Sequence, residues 1–295
     1  MQDHESAGSP RLRRSALYLP ASNARALRKA QSLPCDVVIL DLEDAVAPDL
    51  KDAARGAVIA AIKQGGFGPR ELVVRCNGLD TPWGADDVEQ VARAAPDALL
   101  VPKIHGPADL ARYEAMIAAT GSNVALWAMI ETCAAFLGLA DIARYESRRF
   151  AGMVLGLNDL ALEMRARLST DRRIFLPMMA QAVVAARVGG RHILDGVYNA
   201  FGDPGGLAAQ CREAVELGFD GKTLIHPAQI EICNDLFAPA PDEIERARGI
   251  VEAFARPEHA ALGAINVGSA MVERLHLREA RRVMALADAI ARREG

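Results

Sequence analysis

Residues 37–44 read Val-Val-Ile-Leu-Asp-Leu-Glu-Asp, a short apolar run that passes directly into three carboxylates. A continuous apolar run of this length is typical of a strand covered on both faces, as in a parallel sheet between helices. The run Ala-Leu-Leu-Val at 98–101 has the same character, and residues 53–62 and 206–217 carry apolar side chains at helical spacing. The pattern therefore predicts an α/β fold built on parallel strands.

Eight strand candidates of this kind alternate with helical segments along the chain. Eight alternations favour a closed (β/α)8 barrel, the TIM barrel, over an open doubly wound sheet, which usually has fewer strands. The predicted strands span residues 15–19, 37–42, 72–75, 98–102, 125–130, 150–155, 193–198 and 222–225.

The length of 295 residues allows one domain or two, because barrels of this type reach about 250 residues as a single unit. We predict a flexible tail at 1–12, a catalytic barrel at 13–238, and a C-terminal helical extension or lid at 239–295. Within this extension, helices are expected at 242–256 and 276–293, with a loop at 257–268 between them.

The composition disfavours several classes of protein. With 34 basic against 38 acidic side chains the formal net charge is −4, which argues against nucleic acid or an anionic membrane as the main partner. No apolar stretch reaches the about 20 residues of a membrane helix, and residues 1–15 lack the apolar core of a signal peptide. The five scattered cysteines form no C-x-x-C pair, so we expect reduced core thiols rather than zinc ligands. We therefore expect a soluble, cytoplasmic protein.

Polar side chains follow almost every predicted strand, at the edge of a barrel where catalytic groups collect. Glu131 and Asp159 follow the adjacent strands 5 and 6, and such a carboxylate pair suits Mg²⁺, with Mn²⁺ as the alternative ion. Acids at the end of strand 2 would orient water on the ion; they are Asp41, Glu43 and Asp44. The alternative is a buried ion-pair network of these acids with Arg75 and Lys103.

Other familiar chemistries lack their motifs. The sequence contains no G-x-G-x-x-G, G-x-x-x-x-G-K-[ST], H-E-x-x-H or G-x-S-x-G. A Schiff-base enzyme would need a desolvated lysine at a strand end. Lys103 lies beside the acids and would stay protonated, while Lys222 is expected at the opposite rim or deep in the barrel. The Schiff-base interpretation is therefore disfavoured.

Strand-end motifs follow one another in a specific order, and two are long: Leu-Asp-Leu-Glu-Asp-Ala-Val at 40–46 and Gly-Lys-Thr-Leu-Ile-His-Pro-Ala-Gln-Ile at 221–230. Shorter ones are Val-Val-Arg-Cys-Asn-Gly at 73–78, Val-Pro-Lys at 101–103, Ile-Glu-Thr at 130–132 and Gly-Leu-Asn-Asp-Leu at 156–160. From about residue 13 to the C-terminus, the sequence resembles the citrate lyase β-subunit-like family of the HpcH/HpaI aldolase superfamily.

The resemblance implies a (β/α)8 barrel that binds Mg²⁺ and cleaves or forms a carbon–carbon bond in 3-hydroxyacyl thioesters. It carries Glu131 and Asp159 over as metal ligands, and Arg75 as the contact of the substrate oxyanion or carboxylate. Glu43 and Asp44 match the acids that hold metal-bound water. Members of the family form trimers or hexamers, so the resemblance also implies a homo-oligomer such as a homotrimer.

In such relatives a C-terminal segment, often of a neighbouring subunit, supplies the proton for the product carbon from a G-x-M-[IV]-D context. The matching stretch at 263–273 ends in Glu273 where Asp is usual. The extra methylene shifts the reach of the acid by about 1.5 Å. The catalytic candidates are therefore Arg75 and Glu273, and an ordinary glutamate in a first helical turn is the alternative for Glu273.

Basic and loop residues are the candidates for binding the substrate and coenzyme A. Arg14 and Lys29, near the first strand, could meet CoA phosphates, although such residues are more often solvated charges. The remaining candidates follow strands 4 and 6; they are Lys103, Gly156, Leu157 and Asn158.

The leading hypothesis is a Mg²⁺-dependent carbon–carbon lyase that acts on malyl-, citramalyl- or β-methylmalyl-CoA. One alternative is a β subunit that cleaves a citryl thioester of an acyl-carrier partner within a complex. Another is a non-catalytic member that binds metal and CoA. An acyl-CoA or acyl-carrier thioester is thus the expected partner, with no nucleic acid and no membrane.

Overall fold

The computed structural model describes residues 10–259, 261–268 and 270–294, and eight parallel strands close into a barrel. The strands are β1 (Ser15–Pro20), β2 (Val37–Asp41), β3 (Glu71–Arg75), β4 (Ala98–Val101), β5 (Ala125–Ile130), β6 (Phe150–Leu155), β7 (His192–Asp195) and β8 (Gly221–Leu224). Each strand pairs with the next along the chain, and β8 returns to pair with β1. The predicted (β/α)8 barrel is confirmed.

All eight predicted strands are present, and most bounds agree to within one residue. The largest difference is at β7, which ends at Asp195 instead of continuing to residue 198. The Asp195 side chain accepts a hydrogen bond from the backbone N–H of Gly196, 2.7 Å away, so this N–H is used locally rather than in strand pairing.

Helices connect the strands and cover the barrel from outside. They are α1 (Ala24–Ala30), α2 (Lys51–Gln64), α3 (Gly84–Ala94), α4 (Pro107–Ala119), α5 (Cys133–Leu137), α6 (Leu139–Arg144), α7 (Leu157–Glu163), α8 (Leu176–Val188), α9 (Pro204–Leu217) and α10 (Ile230–Leu236). Side-chain caps begin three of them: Asn23, Thr132 and Asp203 accept the backbone N–H three residues ahead.

Two apolar layers form the core, because successive strand side chains point to opposite faces. The inner layer fills the barrel with residues such as Ile39, Leu100 and Trp127, all buried. The outer layer joins the other strand face to the helices, with Leu40, Leu99 and Leu126 among its members. The barrel is therefore a packed core, and open space for a ligand lies at its ends.

Residues 238–294, as far as they are described, belong to a compact unit distinct from the barrel unit Arg13–Phe237. This C-terminal unit contains α11 (Pro241–Phe254), β9 (Ala264–Val267), β10 (Ala270–Glu273) and α12 (Arg274–Glu294). Helix α11 packs against α12, and β9 pairs antiparallel with β10. Most of the predicted tail at 1–12 lies outside the described residues.

The hairpin corrects the expected loop at 257–268. Ile265 on β9 and Val272 on β10 are register partners and are both buried against Phe254, so two four-residue strands form. Glu273 is consequently the last residue of β10, immediately before α12, rather than a residue of a first helical turn. Strands this short carry too little alternation to stand out in the sequence.

The five cysteines are free thiols, as predicted, and four of them are buried. None of the described helices is both long enough and apolar enough to cross a membrane.

His192 is a buried titratable group of the barrel, packed edge-on against Trp127 with ring centroids 4.3 Å apart. Gly152 makes the space, since a Cβ there would overlap the imidazole. Burial, reinforced by the charges of Arg13 and Arg187, holds the pKa of His192 well below its ordinary value. The folded protein therefore keeps this ring neutral at pH values where the unfolded chain binds a proton.

We expect the free energy of unfolding to fall as the pH drops below about 6.5, with His192 contributing about 1.4 kcal/mol per pH unit. Urea unfolding at about pH 5.5 and about pH 7.5 measures this loss. The His192→Gln variant should lack that component, whereas the surface variant His105→Gln should keep the wild-type dependence. Equal pH slopes in wild type and His192→Gln would contradict the assignment.

Candidate metal centre and active site

The guanidinium of Arg75 is held by the neighbouring strand. Arg75 on β3 and Asp41 on β2 are register partners at the carboxyl ends of their strands. Two hydrogen bonds join them: Arg75 Nε donates to Asp41 Oδ1 and Nη2 donates to Oδ2, each at 2.7 Å. Such a two-point pair between buried groups fixes the plane of the guanidinium.

Further carboxylates surround the same guanidinium. Arg75 Nη1 lies 2.6 Å from Glu43 Oε2 and 3.5 Å from Asp44 Oδ2, and Lys103 Nζ lies 3.4 Å from Glu43 Oε1. The ion-pair network left open by the sequence is thus present around Asp41 and Glu43. Asp44 is the more open carboxylate, with 60% of its side chain exposed.

Hydrogen bonds from buried side chains hold the backbone of the loop that follows β2. Asp41 also accepts the backbone N–H groups of Glu43 and Ala45, at 2.9 and 3.2 Å. Lys51, buried at the start of α2, donates to the carbonyl oxygens of Leu42 and Glu43 at 2.9 and 2.7 Å. The acidic loop therefore presents its carboxylates from a rigid backbone.

Glu131 and Asp159, the predicted metal ligands, follow β5 and β6 at the same end of the barrel. Only 1% of Glu131 is exposed, and its Oε1 accepts the backbone N–H of Lys103 at 2.8 Å. Within the described part of the chain, no lysine or arginine forms an ion pair with it. Burial, and then the charge of Asp159, raise the pKa of Glu131 to about 8.

A buried carboxylate beside a second carboxylate and without a paired cation fits a divalent metal ion. The two acids alone cannot complete a coordination shell, and in the described ranges no cluster of three or more His, Cys, Asp or Glu side chains could hold a metal. The donor set suits Mg²⁺, which takes one or two carboxylates and fills its shell from water and substrate.

Two backbone features place Glu131. Lys103 adopts a left-handed conformation with φ of 51°, which is unfavourable for a residue with a side chain and aims its N–H at Glu131. Gly156 leaves the space that Glu131 occupies, because a Cβ there would lie 2.5 Å from the Glu131 Cβ. Both residues were predicted as substrate contacts, and the structure gives each of them a role toward Glu131.

A cavity of about 370 Å³ joins these groups. It is lined by Asp41, Asp44, Arg75 and Asp159 from the acidic rim and by Gly156, Leu157 and Asn158 after β6. The structure therefore brings the candidates from strands 2, 3 and 6 together. Lys103 and Glu131 line an adjoining cavity that also contains Asp159.

Tyr18 is a cavity residue that the sequence reasoning missed. Its ring lies 4.9 Å from the Arg75 guanidinium, and its hydroxyl donates to the Met129 sulfur at 3.5 Å. Burial raises the pKa of Tyr18, so the hydroxyl keeps its proton. Side chains alternate between the two faces of β1, so an inward-facing Ala16 predicts that Tyr18, two residues later, also faces inward.

The predicted contact of Arg14 with CoA phosphates is wrong. It precedes β1 and so lies at the amino end of the barrel, opposite the acidic rim. Its guanidinium is 4% exposed and is paired with Asp36, with Nε 2.9 Å from Oδ2. A buried guanidinium that is paired at the wrong end of the barrel cannot meet the phosphates of a substrate at the rim. Lys29 is exposed in the last turn of α1, and its predicted role stays a prediction.

Lys222 is buried on the outer face of β8, between the barrel and its helices, and not at the opposite rim or inside the barrel as expected. Its ammonium is fully buried and lies 2.6 Å from Asp195 Oδ2, with Gln210 of α9 also in contact. Lys222 therefore stabilises the junction of barrel and helices and is absent from the cavity. The His226 ring stacks on the Phe201 ring with centroids 5.0 Å apart, and its Nδ1 accepts the Ala228 N–H, so this side chain packs and caps at the end of β8.

Glu273 is described within the C-terminal unit. Its backbone N–H donates to His276 Nδ1 at 2.9 Å, which anchors the end of β10 to the first turn of α12. Its predicted role as a proton donor stays a prediction.

Comparison with known proteins shows which family the chain matches. The profile of the HpcH/HpaI aldolase/citrate lyase family matches residues 14–227. The chain is similar to a (3S)-malyl-CoA thioesterase of Cereibacter sphaeroides, with 46% identity over 278 residues, covering 94% of this chain and 95% of the relative. It is also similar to citrate lyase subunit beta of Escherichia coli, with 32% identity over 291 residues and 96% of each chain covered.

Solved protein structures also resemble this chain. The CitE protein of Mycobacterium tuberculosis, in complex with magnesium, acetoacetate and coenzyme A, superposes with a TM-score of 0.75 at 28% identity, covering 93% of this chain and 97% of that one. A citrate lyase from Burkholderia xenovorans gives a TM-score of 0.83 at 22% identity, covering 95% and 93%, and supports the fold.

Gly156→Ala should displace Glu131 and weaken Mg²⁺ binding by about tenfold or more, since losing support of a metal ligand has effects of this size. Calorimetric titration with Mg²⁺ measures the affinity. Gly56→Ala is the matched control, because Gly56 lies in α2 with no atom within 4 Å of an added Cβ. Unchanged affinity in Gly156→Ala would contradict this placement of Glu131.

Mg²⁺ affinity should rise by up to about tenfold per pH unit until the pH passes the Glu131 pKa of about 8, because the ion must displace the proton. Titrations in buffers of different ionisation enthalpy, at about pH 6.5 and about pH 8.5, would report both the affinity and the released proton. An affinity that does not change with pH, without proton release, would exclude Glu131 as a ligand.

Proposed function

This chain belongs to the HpcH/HpaI aldolase/citrate lyase family, and we propose that it is a Mg²⁺-dependent enzyme acting on a malyl-CoA-type 3-hydroxyacyl thioester. One observation carries the proposal: the buried Glu131, without an ion-pair partner among the described residues, lies beside Asp159 at the rim that also holds the Arg75 guanidinium. A metal ion and a fixed guanidinium can together hold an anion at both ends.

Glu131 and Asp159 would hold the Mg²⁺. When bound, the ion supplies a Lewis acid that orients the carboxylate and hydroxyl oxygens of the acid half. The CitE structure that contains magnesium together with acetoacetate and coenzyme A supports this assignment through its similarity to the chain.

Arg75 would stabilise negative charge on the thioester oxygen. Two reactions place charge there: attack of water on the thioester carbon gives an oxyanion, and cleavage of the bond between the α and β carbons leaves the electron pair on the α carbon as a thioester enolate. Asp41 keeps the guanidinium in one orientation for either reaction, so little reorganisation is needed as charge develops. The site is suited to both reactions up to this point.

We propose thioester hydrolysis as the reaction, supported by the 46% identity to proteins named (3S)-malyl-CoA thioesterase. Asp44 lines the cavity with an exposed carboxylate, and this position suits a group that holds the attacking water and accepts its proton. Water adds to the thioester carbon, the carbon–sulfur bond breaks, and the CoA sulfur leaves with a proton.

Carbon–carbon cleavage, the reaction predicted from the sequence, is the second candidate. The 32% identity to citrate lyase subunit beta and the enolate-stabilising position of Arg75 favour it. This reaction needs an acid to protonate the product carbon, and Glu273 is the proposed donor, supplied within a homotrimer or hexamer. Hydrolysis does not need that acid, so Glu273→Gln should abolish cleavage of the carbon–carbon bond while sparing hydrolysis.

Malyl-CoA incubated with the purified protein and Mg²⁺ separates the two reactions. Hydrolysis releases the free CoA thiol and malate, whereas carbon–carbon cleavage releases glyoxylate and leaves the thioester intact as acetyl-CoA. We expect thiol release without glyoxylate, and glyoxylate without thiol would establish the second candidate instead. Bound CoA without turnover on malyl-, citramalyl- or β-methylmalyl-CoA would overturn both and leave the non-catalytic alternative.

Arg75→Gln should lower kcat by about 100-fold or more, because it removes the charge at the reacting oxygen. Steady-state rates of thiol release measure the effect. Arg93→Gln is the matched control, since Arg93 is an exposed residue of α3 that pairs with Glu89 on the helix surface. A kcat for Arg75→Gln within threefold of wild type would remove Arg75 from the mechanism.

A further inference from the structure

A second cavity, of about 1210 Å³, opens at the amino end of the barrel. It lies where β5, β6 and β7 begin: Asn123 is two residues before β5, Arg149 precedes β6 and Arg191 precedes β7. Glu131 and Asp159 follow the other ends of β5 and β6, so a strand length of about 20 Å separates the cavity from the metal centre. It is therefore a site of its own.

Arginines dominate the lining of this cavity. We call it the arginine pocket after its four arginines, Arg144, Arg148, Arg149 and Arg191. The lining contains two acids, Glu114 and Glu146, and Glu114 is already engaged by the hydroxyls of Tyr145 and Ser147 at 2.7 and 2.9 Å. The pocket is thus locally basic in a chain whose formal net charge is −4.

None of these four guanidiniums forms an ion pair within the described ranges. Other arginines of the barrel unit differ in this respect, because Arg187 pairs with Asp220 at 2.8 Å and Arg172 pairs with Asp195 at 2.8 Å. Clustered cations repel one another, and the four guanidiniums of this lining outnumber its two carboxylates, so a bound anion would stabilise the arrangement.

Two of the four guanidiniums are already positioned. Arg191 packs on the Phe150 ring at 5.0 Å and donates to the Tyr145 carbonyl at 3.0 Å, while its buried Nε lacks a hydrogen-bond partner. Arg149 donates to the Val124 carbonyl at 3.3 Å. Arg144 and Arg148 are exposed and free to close on a ligand. A partly fixed, partly adjustable set of donors lowers the entropy lost on binding.

We propose that the arginine pocket binds a small anion that carries two or more linked phosphates. Guanidinium groups match phosphate oxygens with paired hydrogen bonds, and four of them exceed what one carboxylate can neutralise. The cavity is larger than the 370 Å³ substrate cavity and accommodates a diphosphate with an attached nucleoside. The shared chemistry of the ligand is the diphosphate, either free or as part of a nucleotide.

Calorimetric titration of the full chain at low ionic strength tests this proposal with two probes, inorganic pyrophosphate and ADP. We expect saturable binding of both that weakens as salt is added. Tighter binding of ADP would identify a nucleotide site, and equal binding would identify a site for the diphosphate alone. Absence of saturable binding of either probe would overturn the proposal.

Arg148→Gln should weaken pyrophosphate binding by about tenfold, and Arg148→Lys should recover part of that loss, since charge remains but the paired donors are gone. Arg148 is exposed and forms no ion pair with another described residue, so neither variant should alter thermal unfolding. Arg93→Gln is the control for lost surface charge and should bind like wild type. Equal affinity in wild type and Arg148→Gln would show that the probe binds elsewhere and would overturn the assignment.

Discussion

The hydrogen-bonded pair between Arg75 and Asp41 joins two strands, one loop and one cavity. Register alone brings the two residues side by side, because each is the last residue of its strand and the strands are parallel neighbours. The carboxylate of Asp41 then also accepts two N–H groups of the loop that follows β2. Removing either partner would leave a buried charge unpaired, which costs about 3–5 kcal/mol. The orientation of the guanidinium and the shape of the acidic loop therefore depend on the same contact.

Charge is unevenly distributed around that pair. Five carboxylates, those of Asp41, Glu43, Asp44, Glu131 and Asp159, face the two cations Arg75 and Lys103. Arg75 forms its shortest ion pairs with Asp41 and Glu43. Among the described residues, Glu131 and Asp159 are therefore the carboxylates of this group without a paired cation. Burial and then the charge of Asp159 raise the pKa of Glu131, and a divalent cation would counteract this rise. The ion-pair network and the candidate metal centre are thus two parts of one electrostatic arrangement.

The sequence was sufficient for the barrel and for the polar groups at its rim, because parallel strands appear as continuous apolar runs and their carboxyl ends share one edge. The predicted position of Arg14 near the substrate was wrong, because a residue that directly precedes a strand must lie at the amino end of the barrel. Alternation also predicts that Lys222 points away from the barrel axis while Thr223 points inward, and that Tyr18 faces the cavity. The hairpin at β9 and β10 could not be predicted, since its pairing depends on burial against Phe254 from a separate helix. The missing information in each case was which face or partner a side chain meets.

Strand β6 shows how packing inside the barrel permits polar groups at both of its ends. Gly152 and Val154 point inward, followed by Gly156 just beyond the strand, so the Val154 side chain lies between two positions that lack a Cβ. The space at Gly152 is filled by the His192 ring of β7, and the space at Gly156 by the side chain of Glu131, which follows β5. A glycine at an inward position therefore marks a close approach by a neighbour rather than a weak point in the strand. Because the barrel interior is closely packed, burying Glu131 at the rim requires the absence of a side chain at Gly156, and the candidate metal centre depends on that glycine as well as on the acids.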